Sequence, residues 1–111
     1  MNKQIHVAFI TQKLKEQFHC LKKGKFEDQQ LYKFISRALD DLKQNPTCGI
    51  KIPKKIWPKE YVQKYNITNL WKYDLPRAWR LVYVIESGEV KIVSIVLEWF
   101  DHKDYEQRFH Y

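Results

Sequence analysis

Residues 79–111 read WRLVYVIESGEVKIVSIVLEWFDHKDYEQRFHY, and this stretch decides the fold. Trp79 to Glu86 is rich in aromatic and β-branched residues, the composition of a strand. Ser87-Gly88 reads as a tight hairpin turn. Val90 to Leu97 is almost wholly apolar, which suits a central strand buried on both faces. Asp101 is placed to cap a last short helix ending at about Phe109. Two features mark the stretch chemically. Arg80 opens an otherwise apolar strand, and His102, Lys103, Tyr105, Arg108 and His110 crowd together just past the end of the next one.

Working outward, Ile67, Asn69, Trp71, Tyr73 and Leu75 share one face if that segment is extended, and Pro76-Arg77-Ala78 turns the chain into Trp79. Before it, Trp57-Pro58 opens a short helix with Tyr61, Val62 and Tyr65 as its apolar side. Gly49 to Pro53 reads as a short extended segment, with Lys51, Lys54 and Lys55 at close quarters. From about Glu27 to Gln44, the residues Leu31, Phe34, Ile35, Ala38, Leu39 and Leu42 form a broad helical stripe. Asn45-Pro46 ends it, because the residue before proline is pushed out of helical geometry. An earlier helix carries Leu14, Phe18 and Leu21 on one face, with Thr11 as its cap and Gly24 as a left-handed stop. Ile5, Val7 and Phe9 alternate as a short first strand.

The order is strand, two helices, a short helix, three strands and a helix. This predicts an α+β domain spanning residues 1–111: an N-terminal helical hairpin packed on a small twisted antiparallel sheet, with the helices on one face. At 111 residues the chain is long enough for one core without disulfides or metals. Cys20 and Cys48 make neither a disulfide framework nor a zinc site. The opening MNKQIHVAFITQKLKEQ lacks the apolar core of a signal peptide, and no apolar run approaches bilayer length. The expectation is a soluble cytoplasmic protein with no membrane partner. A net charge of +7 and a pI near 9.4 favour a polyanionic partner, such as nucleic acid, a ribosome or an acidic protein segment.

The chain resembles the RelE/ParE toxin superfamily of bacterial and archaeal toxin–antitoxin systems. The residues that carry the resemblance are a helical hairpin ending in DLKQNP followed by Gly49, the basic KIPKK, the strand NLWKYDL, the pair WRLVYVIESGEVKIVSIVLEW and the closing HKDYEQRF. The DHKDYEQRF ending looks like an archaeal-type subgroup. The resemblance implies the β-α-α-β-β-β order with a C-terminal helix, no metal and no cofactor. It also implies a cognate antitoxin that wraps the toxin in a hetero-oligomer. RelE-like members cut mRNA in the ribosomal A site; ParE-like members poison DNA gyrase.

Metal-free RNA cleavage uses the RNA's own 2′-OH as nucleophile. It needs a base for that hydroxyl, an acid for the departing 5′-oxygen and positive charge on the phosphorane. Arg80 offers a planar, permanently charged clamp and matches the superfamily's strand arginine; its structural alternatives are pairing with Glu86, Glu98 or Asp74, or exposure at the sheet edge. Histidine is the usual acid or base near neutral pH, and His102 stands where the family carries a late basic residue. Tyr105 resembles the family's late tyrosine, for stacking or proton transfer; its alternative is packing with Phe109 on the sheet. The expected catalytic set is therefore Arg80, His102 and Tyr105. Lys51, Lys54, Lys55, Lys103 and Arg108 are expected on phosphate or ribosomal RNA, or as a solvated basic surface. His110-Tyr111 looks like the functional ending of YoeB-type toxins, set apart here by an intervening helix. Glu98 is a further candidate base, or an ion-pair partner for Arg80 or a lysine. The competing functions are a ribosome-dependent mRNA endoribonuclease, a gyrase poison, and a non-catalytic toxin-fold module that binds nucleic acid or protein.

Overall fold

The computed structural model describes residues 3–109, so the His110-Tyr111 expectation lies outside the described residues. Along the chain come β1 (Gln4–Phe9), α1 (Gln12–Leu21), α2 (Phe26–Gln44), β2 (Ile50–Lys51), α3 (Lys59–Tyr65), β3 (Trp71–Asp74), β4 (Arg80–Ser87), β5 (Lys91–Phe100) and α4 (His102–Phe109). The domain is α+β, with a five-stranded sheet in the order β1-β5-β4-β3-β2.

The sheet is mixed, where an antiparallel one was expected. β2, β3, β4 and β5 pair antiparallel in succession, but β1 lies parallel to β5, with Val7 opposite Ser94 and Phe9 opposite Val96. The hairpin with β4 satisfies only one edge of β5, and the backbone groups on its other edge need partners too. β1 supplies them, which buries Ser94 and Val96 completely. The apolar run of β5 is thus that of an interior strand, as its composition suggested.

A β-bulge decides what β5 presents. Val82 pairs with Glu98, but Tyr83 pairs with Val96, so Leu97 is the extra residue. Leu97 and Glu98 therefore point to the same face, and the alternation of β5 reverses beyond them. Trp99 packs with the α1–α2 core while Phe100 joins the opposite one. Without the bulge these two side chains would exchange faces.

Both faces are covered, which corrects the expectation that the helices share one. On the first face, Leu31, Ile35, Ala38 and Leu42 of α2, with Phe18 of α1, pack on Leu81, Tyr83 and Val96. On the second, Tyr61 of α3 and Tyr105 and Phe109 of α4 pack on Val82, Val84, Leu97 and Phe100. Burying such side chains contributes about 1.5–3 kcal/mol each before conformational entropy is set against it.

Local chemistry fixes the element ends. Thr11 Oγ1 accepts from Leu14 N at 3.0 Å to start α1, and Asp101 Oδ1 accepts from Asp104 N at 2.8 Å to start α4. Gly24 is not left-handed as expected; it is needed because a Cβ there would run into the Asp28 side chain, which accepts from Lys25 N at the start of α2. Gly49 has the same kind of reason: its Cβ would lie 2.6 Å from the Tyr83 hydroxyl. That buried hydroxyl donates to Pro46 O at 2.7 Å and accepts from Gly49 N at 3.2 Å. β3 is shorter than the extended segment read from the sequence, because Asn69 replaces a backbone rung with its side chain. Its amide donates to Ile85 O and accepts from Ile85 N, each at 2.8 Å. The turn between β4 and β5 runs over Gly88, Glu89 and Val90, closed by Gly88 N donating to Lys91 O at 2.9 Å. It is one residue wider than the two-residue turn expected.

Candidate functional site

The second face of the sheet gathers the charges. Asp74, Arg80 and Phe100 share one rung across β3, β4 and β5, and Lys72, Val82 and Glu98 share the next but one. Paired residues point the same way, so Lys72, Asp74, Arg80 and Glu98 all stand on the side covered by α3 and α4.

Arg80 is the centre of one cluster. Its Nε lies 3.0 Å from Asp74 Oδ1, although the N–H is not aimed along that line, so the contact is an ion pair without a hydrogen bond. Its Nη1 donates to Trp79 O at 3.3 Å, and the guanidinium sits 5.6 Å from the centre of the Tyr105 ring. Lys72 joins it: Nζ is 3.5 Å from Asp74 Oδ1 and 5.7 Å from the same ring. Both cations lie within reach of one aromatic ring, whose quadrupole attracts them. Of the alternatives weighed for Arg80, the structure selects Asp74. Lys72 was not singled out from the sequence, although the same alternation that put Trp71 and Tyr73 on one face puts Lys72 and Asp74 on the other.

Tyr105 is buried, 2% exposed. It stacks on Phe109 at 4.5 Å and meets Phe100 edge-on at 6.2 Å. It serves as the platform beneath the cations and has no open face for a base. His102 is exposed, at the first turn of α4, where its Nε2 meets Glu106 Oε1 one turn on. Lys103 is exposed beside it. The register that pairs Arg80 with Phe100 places Arg80 next to the strand end from which His102 and Lys103 follow.

The remaining expected residues stand elsewhere. Lys51 is exposed on β2, and Lys54 and Lys55 are exposed in the Lys54–Ile56 turn after it. They form a basic edge that begins two strands across and three residues along from Arg80. Arg108 is engaged by carboxylates: Nη1 pairs with Glu60 Oε2 and Nη2 lies 3.3 Å from Glu98 Oε2, with the guanidinium 5.9 Å from the Phe100 ring.

Glu98 makes a second constellation on the same face. Tyr61 Oη donates to Glu98 Oε1 at 2.6 Å. Burial pushes the Glu98 carboxyl up from the ordinary glutamate value, outweighing the opposing Tyr61 hydrogen bond and the Lys64 charge. Burial and the same hydrogen bond push the Tyr61 phenol up as well, so the shared proton stays on Tyr61. Glu98, Glu60 and Arg108 together line two adjoining clefts of about 480 and 450 Å³. The sequence offered Glu98 as a possible base but could not show its partners, because the bulge that turns it toward α3 leaves no mark in the residue types.

Among the described residues no group of three or more His, Cys, Asp or Glu is arranged to hold a metal ion, and no helix is long and apolar enough to cross a membrane. No family model, curated protein or solved structure matches this chain.

Proposed function

We propose that the chain is a RelE/ParE-type toxin acting as a metal-independent, ribosome-dependent mRNA endoribonuclease, held inactive in the cytoplasm by a cognate antitoxin. The observation that carries this reading is the Arg80–Phe100 register, which sets Arg80, with Lys72 over the same Tyr105 ring, at the sheet end where α4 begins with His102. The α+β composition, with a helical hairpin ahead of most of the sheet, is compatible with it.

In this reading a phosphodiester lies against Arg80 and Lys72. The 2′-oxygen attacks phosphorus, its proton passing to a base, while the bond to the 5′-oxygen breaks and that oxygen takes up a proton. His102 is exposed and able to exchange a proton with either oxygen, and Glu106 orients its ring. Arg80 and Lys72 face the charge that gathers on the phosphorane. Tyr105 acts from below, holding the guanidinium by its ring face. Lys51, Lys54 and Lys55 extend the positive surface toward ribosomal RNA.

A second reading is favoured by one observation: Asp74 already neutralises Arg80, and Tyr105 is covered. That arrangement suits a non-catalytic toxin-fold module that binds through its basic surface. Inducible expression with mapping of mRNA 5′ ends decides. The enzyme reading expects growth arrest and A-site cleavage, both abolished by Arg80→Ala and reduced at least about 100-fold by His102→Ala. Growth arrest with DNA breaks and intact mRNA would instead make it a gyrase poison. A well-folded protein without toxicity would leave the binding module.

A further inference from the structure

A groove of about 600 Å³ separates α2 from the end of β3 and the turn that follows it. Its volume is within the range of sites that take a single unit the size of a small molecule. Lys33 and Arg37 stand one helical turn apart along its α2 wall, both exposed, with Phe34 between them. Tyr73 forms the facing wall, its ring half-buried and its hydroxyl tied to Asp41 of α2. The groove does not end blindly. Asp74 lines it and is the carboxylate 3.0 Å from Arg80 Nε. Lys33 and Arg37 therefore stand on the α2 side of the end of β3 and Arg80 on the other side, with Asp74 common to the groove and to the Arg80 ion pair.

We propose that this groove binds single-stranded RNA next to the phosphate at Arg80, with a base against Phe34 and Tyr73 and the backbone on Lys33 and Arg37. This rests on the RNA-directed reading above and names the part of the strand beyond the scissile phosphate. The chemistry favours an unpaired strand. Cations that track a backbone beside accessible aromatic rings are the means by which single strands are held without sequence readout, whereas a duplex hides its base faces from such rings. An acidic protein segment would use the cations but not the aromatic walls.

The test is fluorescence anisotropy of a labelled, mixed-sequence single-stranded RNA oligonucleotide. It compares the native chain with Lys33→Ala/Arg37→Ala and with Lys15→Ala/Lys23→Ala, which removes equal charge from exposed positions on α1 and just beyond it. The groove variant is expected to bind at least about tenfold more weakly, and the control less than about threefold. The slope of log affinity against log salt should fall by about 1.4 in the groove variant, for two lost phosphate contacts on a single strand. Matching thermal melts by circular dichroism establish that all three are folded. Equal losses in the two variants would overturn the proposal, as would an unchanged groove variant, or inorganic polyphosphate of equal charge competing as well as RNA. The enzyme reading is scored separately by mRNA cleavage in a translation extract. Uncut mRNA with a groove-dependent RNA affinity sinks that reading and keeps the groove. Cleavage with an unaltered KM in the groove variant sinks the groove and keeps the enzyme.

Discussion

Arg80 and Glu98 stand on the same face of the sheet, and they meet opposite fates. Arg80 takes a short-range partner, Asp74, on the neighbouring strand. Glu98 takes Tyr61, 37 residues away on α3, and Arg108 from the helix that follows its own strand. The position of Arg80 at the head of an apolar strand was enough to include Asp74 among its possible partners. For Tyr105 the spacing to Phe109 offered packing on the sheet as an alternative, which its burial bears out, whereas the Tyr61 and Arg108 partners of Glu98 left no sign in the sequence. Glu98 carries a testable consequence. It holds its proton more tightly in the folded chain than in the unfolded one, because burial disfavours its charged form. Folded protein thus binds more protons between the ordinary glutamate value and the raised one, and stability falls as pH rises through that window. Urea midpoints measured across that range should decline in the native chain and decline less in Glu98→Gln. Identical pH slopes in the two proteins would remove Glu98 from this account.

At the scale of elements, the connection between β3 and β4 bears the strain. Arg77 and Ala78 both have positive φ, 60° and 61°, in the turn that leads into Arg80. The left-handed region costs a residue with a Cβ about 1–2 kcal/mol. The turn is held there by Leu75 N donating to Trp79 O at 2.9 Å, and by Leu75 packing into the core, 5% exposed. Ala78→Gly should therefore stabilise the fold by about 1 kcal/mol, the relief of strain offset partly by the greater freedom of glycine when unfolded. Denaturant unfolding measures it directly, and a destabilised variant would show that the Ala78 methyl contributes more by packing than its backbone loses. Pro76-Arg77-Ala78 was readable as a turn from its proline. Its handedness was not, since neither arginine nor alanine favours positive φ, and only the closing of the hairpin compels it.

For the whole molecule, one sheet serves two cores. Leu81, Tyr83 and Val96 belong to the α1–α2 side, and Val82, Val84 and Leu97 to the α3–α4 side. Each core loses its floor if β4 and β5 come apart, so the two should unfold together. Far-ultraviolet circular dichroism and tryptophan fluorescence are expected to give coincident urea curves; separate midpoints would mean that the α3–α4 side opens independently. Amphipathic stripes, caps and the apolar run of β5 were legible because they depend on residues a few positions apart. Phe18, Leu31 and Leu42 fell where helical spacing put them, and Thr11 and Asp101 capped as their side chains allow. The sequence by itself determined the helical hairpin, the β4–β5 hairpin, the closing helix and the excess of positive charge. The tertiary structure alone decided that β1 lies parallel to β5, that a bulge turns Glu98 and Phe100 to one face, and that α4 covers Tyr105 beneath Arg80 and Lys72. Those outcomes depend on which backbone edges and apolar faces remain unsatisfied once the local elements have formed, a property of the assembled chain that no short stretch of it carries.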